Sequence, residues 1–533
     1  QIYIGLSLAT PVPICLPRMS LIADRKMPAH TLFQSLQLVT DQTKPAISAP
    51  GRPDLSHAAL SQLCQTTVDS LNGFGIGRND RVAIVLPNGP EMATAFIAVA
   101  CGATTAPLNP AYRQDEFKFY LDDLKARALI VEVGSESPAV AAARELGIPL
   151  VELDVVGDAA AGDFSLKAPS LSGNAELSGF AETDDVGLIL HTSGTTSRPK
   201  IVPLSQKNLA ASARNISATL NLEPADRCMN IMPLFHIHGL IAAVLTSLSA
   251  GASVYCTPGF NALKVFSWLE DCKPSWYTAV PTMHQAILSR ASRNKNILAA
   301  TKLKFARSSS SSLPPQVMAE LEETFGCPVI EAYGMTEATH QMACNPLPPA
   351  ARKPSTVGIA AGPEVGIIDN DGTLLAAGET GEIVIRGDNV TSGYENNDAA
   401  NAEAFQDGWF RTGDQGVMDT EGYVSITGRL KEIINRGGEK ISPREVDEVL
   451  MDHAAVGQVV TFAIPHDKLG EEVAAVVVLR EGETAGEREI RDFAAMRLAD
   501  FKVPRKILFM DEIPKGATGK LQRIGLAEKL GLV

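Results

Sequence analysis

The chain has 533 residues, with 47 Lys+Arg against 61 Asp+Glu and a formal net charge of −14. That acidity argues against nucleic acid as a partner, and the length exceeds what one ordinary core uses, so two or more domains are expected. Hydrophobic residues make up 45% and charged residues 20%, the balance of a soluble globular enzyme that meets anionic ligands in local basic pockets.

Eight cysteines, at 15, 64, 101, 228, 256, 272, 327 and 344, form no Cys-x-x-Cys pair or zinc-type cluster. They read as free thiols of a reducing compartment. Residues 1–26 begin without Met and carry no charge before Arg18. They lack the basic start of a secretion signal, and their prolines disfavour a membrane helix. They are read as a non-catalytic extension, with Met19 and Met27 as candidate starts. The final Lys529-Leu-Gly-Leu-Val533 differs from a Ser-Lys-Leu peroxisomal address, so the cytoplasm is the expected location.

From Arg81 onward short β-rich runs alternate with helical patterns. Strands are predicted at 82–86, 128–131, 186–190, 252–256 and 329–332, with helices at 91–101 and 115–124. Such alternation implies α/β layers around largely parallel strands. Residues 157–179 are rich in Ala, Ser and Gly, and are read as an exposed connector. After Val365 short strands separated by Gly turns predict a β-rich lobe. A charged, glycine-rich passage at 428–443 precedes a fresh set: helix 444–451, strands 456–464 and 474–479, helix 485–497. The fold class is therefore α/β. It comprises a large N-terminal domain of layered sheets with a β-rich lobe, residues 27–428, and a small mobile α+β C-terminal domain, residues 429–533.

The sharpest local feature runs from Leu188 to Lys200. An apolar strand leads into Thr192, Ser193, Gly194, Thr195, Thr196, Ser197, Arg198, Pro199 and Lys200. Small hydroxyl residues with Gly let backbone bend around phosphates and offer N–H and O–H donors, and Lys adds a point charge. It is not a P-loop, which needs Gly before the Lys and Ser or Thr after it. Here Pro199 and Ile201 stand in those places. The plainer alternative is a Ser/Thr-rich turn.

The loop resembles the phosphate-binding signature of the acyl-adenylate-forming superfamily, which includes acyl-CoA synthetases, peptide-synthetase adenylation domains and firefly luciferase. Two positions depart from the usual pattern: Ser197 and Ile201 replace glycines. Further blocks follow in family order: Met232-Pro-Leu-Phe-His236-Ile-His-Gly239, residues 308–314, Tyr333-Gly-Met-Thr-Glu337, Arg411-Thr-Gly-Asp414, Thr427-Gly-Arg429-Leu-Lys431-Glu-Ile-Ile and Pro514-Lys-Gly-Ala-Thr-Gly-Lys520. Singly, each has a bland reading as a turn, loop or core residue; their joint order does not.

The resemblance implies ATP and CoA as co-substrates, with Mg²⁺ on Glu337. It implies nucleotide contacts from Thr192, Ser193, Gly194, Thr195, Thr196, Lys200, Ser311, Ser312, Glu331, Tyr333, Thr336, Asp414 and Arg429. It implies Lys520, Glu337, Thr336 and His236 as catalytic, and a hinge at Lys431. Gly437 and Gly438 would line the CoA channel, where small residues let the thiol arm pass close to backbone. The acid pocket falls to His236, Ser310 and His340. Two histidines and a hydroxyl suit a second carboxylate on a very small acid, and the strings Arg307–Leu313, Glu331–His340, His191–Lys200 and Lys431–Pro443 resemble those of the plant and fungal oxalyl-CoA synthetases. Other short acids, 4-coumarate-type acids and a luciferase-like oxygenase remain alternatives. A peptide-synthetase module would need a carrier domain, and none is read within the chain.

Overall fold

The computed structural model describes residues 29–155, 157–192, 199–515 and 520–533. The extension at 1–26, Cys15 and Ser193, Gly194, Thr195 and Thr196 lie outside them. Four sheets form among the described residues.

Two large sheets carry the alternating strand–helix pattern. In the seven-stranded sheet, Leu150–Asp154, Ala128–Glu132, Arg81–Ile84, Thr104–Pro107 and Val186–Thr192 run parallel, and an antiparallel strand closes each edge. In the nine-stranded sheet, the parallel run is Val329–Met335, Phe305–Ser309, Trp276–Ala279, Arg227–Asn230, Ser253–Cys256 and Pro45–Ser48. Residues 82–84 and 253–256 are buried on both faces, as parallel strands covered by helices are. Helix Pro90–Ala100 is buried nearly all round. It belongs to the main apolar cluster together with Trp276, Phe305, Leu188 and Leu234, which draws on both sheets.

The connector assigned to 157–179 is only partly exposed. Ser165–Lys167 pairs antiparallel with Leu150–Asp154, and Ala161, Phe164 and Ala168 are buried in the main cluster. Three paired residues are too few to show a period of two, so Ala/Ser/Gly composition dominated the sequence signal.

The β-rich lobe is a five-stranded sheet built on Thr380–Arg386 and Trp409–Met418. Residues beyond it form a further five-stranded sheet around the long hairpin Val456–His466/Gly470–Leu479, flanked by helices Pro443–Met451 and Glu487–Ala495 with a separate apolar cluster. The seven cysteines among the described residues are free and buried. No helix among the described residues is long and apolar enough to cross a membrane.

Candidate active site

Parallel sheets expose functional loops at the carboxyl ends of their strands. Val186–Thr192 delivers Thr192, Arg227–Asn230 leads to His236 and His238, Phe305–Ser309 to Ser310, and Val329–Met335 to Thr336 and Glu337.

Thr192 pairs with Lys200 across the hairpin between Val186–Thr192 and Lys200–Ser205, which pins both ends of the hydroxyl-rich loop. Ile201 pairs with His191 in the same hairpin and is buried in the cluster of Ile189 and Phe117. An apolar side chain therefore replaces the usual glycine without entering the loop. The Lys200 ammonium sits 4.2 Å from the centre of the Tyr394 ring.

Tyr394 also donates its hydroxyl to Glu337 Oε1 at 2.8 Å. Glu337 is 6% exposed, and burial pushes its carboxyl up, against the Tyr394 hydrogen bond and the charges of Lys200 and Arg429. Thr336 opens the short 3₁₀ turn Thr336–Ala338 that holds Glu337 in place. No group of three or more His, Cys, Asp or Glu poised for a metal occurs among the described residues. A single buried carboxylate beside phosphate oxygens fits Mg²⁺, which takes one or two carboxylates and otherwise phosphate and water.

Asp414 and Arg429 face each other on adjacent strands. Arg429 Nε donates to Asp414 Oδ1 at 2.8 Å, and the Tyr333 hydroxyl donates to Oδ2 at 2.5 Å. Both carboxylate oxygens are thus engaged. Gly334 follows Tyr333 because a Cβ there would lie 1.9 Å from the His340 carbonyl oxygen.

Lys520 closes over this cluster. Burial and the Arg429 guanidinium pull its ammonium down to about 8, while Asp414 and Glu337 act in the opposite direction. Burial and Lys520 lower His236 to about 3, so its imidazole is neutral. The loop bearing Lys520 is tied by pairing of Lys515 with Leu521. It is tied again by Arg523, which bonds Glu432 at 2.7 Å, Asp447, and the Thr461 carbonyl at 2.6 Å. Burial raises Asp447 to about 6 even so.

Ser310 and His340, two of the residues expected at the acid, lie in one cluster with His238 and Arg307, which sequence reasoning did not assign. His238 Nδ1 lies 3.0 Å from Ser310 Oγ, and its ring stacks on His340 with centroids 4.9 Å apart. Behind them lies Arg307, fully buried. Ser310, Thr339 and His340 all have positive φ, at 74°, 48° and 96°. Such strain in non-glycine residues clusters at functional sites. Gly239 is required because a Cβ would lie 2.4 Å from the Pro233 carbonyl oxygen.

Other predicted residues take different places. Ser311 is exposed and Ser312 half-buried. Glu331 is 1% exposed. It accepts from the Leu313 N–H at 3.1 Å, fastening the serine-rich segment to the neighbouring strand. Burial pushes it up to about 7, against Arg444 and that hydrogen bond. Gly437 and Gly438, with φ of 60° and 99°, form the exposed turn of the hairpin Ile434–Arg436/Glu439–Ile441. Two positive φ values are what a two-residue primed turn demands. Lys431 lies exposed at the start of the charged passage.

This arrangement defines an adenylate-forming enzyme of the acyl-CoA synthetase fold. The chain matches the AMP-binding enzyme family over residues 37–395 and the AMP-binding enzyme C-terminal domain over 445–520. It belongs to the AMP-binding enzyme family. It is 45% identical over 487 residues to the oxalate–CoA ligase of Arabidopsis thaliana, covering 90% of this chain and 94% of the relative. It is 42% identical over 501 residues to the oxalate–CoA ligase of Saccharomyces cerevisiae, covering 89% and 91%. The ATP-bound structure of MatB from Rhodopseudomonas palustris superposes with a TM-score of 0.84 at 29% identity, covering 94% of this chain and 99% of that one.

Proposed function

We propose that the chain is an ATP-dependent, AMP-forming acid–thiol ligase that converts oxalate, ATP and CoA to oxalyl-CoA, AMP and diphosphate. The observation that carries the ligase chemistry is the enclosure of Lys520 among Asp414, Glu337, Arg429 and His236. Oxalate is supported by the two oxalate–CoA ligases among the relatives and by the neutral imidazoles of His238 and His340 clustered with Ser310.

In the first half-reaction a carboxylate oxygen of the acid attacks the α-phosphorus and diphosphate leaves. Two anions about 4 Å apart repel by roughly 4 kcal/mol at a protein-like dielectric. Lys520, Lys200 and the backbone and hydroxyl donors of residues 192–196 offset that charge. Thr336 meets the α-phosphate, Tyr333 the adenine, and Asp414 with Arg429 the ribose. Ser311, Ser312 and Glu331 shape the adenine side. Glu337 would hold Mg²⁺, which supplies charge neutralisation on the phosphates. In the second half-reaction the CoA thiol displaces AMP.

Lys520 blocks the cleft in the adenylating arrangement, so a C-terminal domain of residues 429–533 swings against residues 27–428 about Lys431. The Gly437–Gly438 turn is the segment that CoA passes. The cytoplasm is the compartment we assign.

The test is CoA-dependent AMP release with oxalate, malonate, acetate and 4-coumarate. Oxalate is expected to give the highest kcat/KM. AMP from 4-coumarate with none from oxalate removes the assignment of the acid and leaves the ligase class standing.

A further inference from the structure

Arg307 carries a charge that the protein leaves uncompensated. It is fully buried, and no carboxylate pairs with it among the described residues. Its Nε has no hydrogen-bond partner. The groups around it are neutral: His340 Nε2 and Gln341 Oε1 at 3.1 Å from Nη2, Thr278 Oγ1 and His238 Nε2 at 3.4 and 3.5 Å from Nη1, and the Cys344 thiol, which burial pushes up to about 11. Buried charges in proteins are otherwise paired.

A guanidinium can only donate. The His340 Nε2 that faces it is therefore an acceptor, and the proton of a neutral His340 lies on Nδ1. Thr278 Oγ1 lies 3.4 Å from Arg307 and 2.6 Å from His238 Nε2. Arg307 Nη1 faces His238 Nε2 as well, at 3.5 Å, and a donor there favours a bare Nε2; the Thr278 hydroxyl then donates to it, which places the His238 proton on Nδ1 as well. His238 Nδ1–H then donates to Ser310 Oγ at 3.0 Å. Ser310 has accepted its bond, and its own hydrogen is left for something else. Gln341 cannot reverse the pattern: its Nε2 donates to the Ala361 carbonyl at 3.1 Å, which keeps Oε1 toward Arg307. No protein group among the described residues accepts from His340 Nδ1.

We propose that Arg307 is the positioning residue for acid selection: it fixes His238 and His340 as Nδ1–H tautomers, so that His340 Nδ1–H and the Ser310 hydroxyl each have a hydrogen to give the substrate. Two donors backed by a buried cation select a carboxylate that does not react. The substrate class is a small dicarboxylate, one group attacking phosphorus while the other rests on Ser310 and His340. Burial and the Arg307 charge both keep His340 neutral, so each ring has one proton to place. The identity of the acid rests on the oxalate reading above; the tautomers do not.

The test is ¹⁵N NMR of the full chain labelled at its nine histidines, assigned with His238→Asn and His340→Asn. At pH 7 both rings are expected to show protonated Nδ1 and bare Nε2. Nε2–H at either ring overturns the proposal, whichever acid the enzyme uses. In Arg307→Met the His340 ring is expected to shift toward Nε2–H. The KM for oxalate should rise at least about tenfold, the loss of one hydrogen bond to a charged group, while the KM for ATP moves less than about twofold. Arg307→Lys, which keeps a donor-only cation, should recover part of the loss. Parallel rises in both KM values, or no change in either, overturn the positioning role. If Arg307→Met does not fold, the wild-type tautomers decide. A wild-type enzyme that ignores oxalate yet shows both Nδ1–H rings refutes the oxalate reading and leaves the proton arrangement in place.

Discussion

Lys520 is the residue whose chemistry depends most on its surroundings. Adenylation needs the ammonium, because a free amine cannot offset phosphate charge. The pKa of this lysine is lowered to about 8 by burial and Arg429. Raising pH through that value removes the charge, so adenylate formation should decline above about pH 8 and fall tenfold per further unit. Thioester formation from supplied acyl-AMP should lack this limb. Lys520→Ala should lower the first step by about 10² or more and the second far less, read by acid-dependent exchange of diphosphate into ATP and by thioester assay. Equal losses in both steps would take the role away from Lys520. At this scale the sequence named Lys520, Glu337, Asp414 and Arg429 because each sits in a fixed local string. It could not name Tyr394, which joins Lys200 to Glu337, because that contact spans the β-rich lobe and has no local signature. Arg307 and His238 were in quoted strings and still went unassigned: only burial without a counter-charge singles them out.

At the scale of elements, the site depends on strand ends that are tightly specified. Strands Val329–Met335 and His340–Cys344 pair antiparallel with an irregularity between Tyr333 and Gly334. The whole nucleotide block, Tyr333 to Glu337, is folded into this short reversal. A Cβ on Gly334 would meet the His340 carbonyl carbon at 2.7 Å as well as its oxygen, so the strands must separate to admit it. Gly334→Ala should therefore destabilise the protein by about 3 kcal/mol, the upper end of the usual cost of overpacking. It should also weaken AMP binding through displaced Tyr333 and His340. Differential scanning calorimetry and AMP titration check this; an unchanged transition with normal AMP affinity would contradict the geometry. The alternation of strands and helices was legible throughout, since parallel strands buried on both faces leave continuous apolar runs. Their division into two sheets was not legible, because the crossovers that decide strand order depend on long-range packing. The strand Ser165–Lys167 was missed for the same reason: its pairing with Leu150–Asp154 fixes it, and its composition does not.

Over the whole molecule, the question is how one cleft serves two reactions. Arg523 answers part of it. By holding Glu432, Asp447 and the Thr461 carbonyl together it binds the Lys520 loop to the charged passage that begins at Lys431. With the hinge proposed at Lys431, the lysine loop and the residues beside it would move as one body, and rotation at a single position would carry Lys520 out of the cleft. A few backbone angles must absorb that motion. Proline locks φ near −65°, so Lys431→Pro should hold the enzyme in the arrangement described here, with Lys520 over Asp414 and Glu337. Adenylate formation should then stay within about threefold of wild type, and thioester formation should drop by at least about 10². Single-turnover measurement of each half-reaction distinguishes the outcomes. A variant that forms oxalyl-CoA from supplied oxalyl-AMP at the normal rate would move the hinge elsewhere. Loss of adenylation with thioester formation intact would mean that proline favours the opposite arrangement, in which the Gly437–Gly438 turn has replaced Lys520 at the cleft.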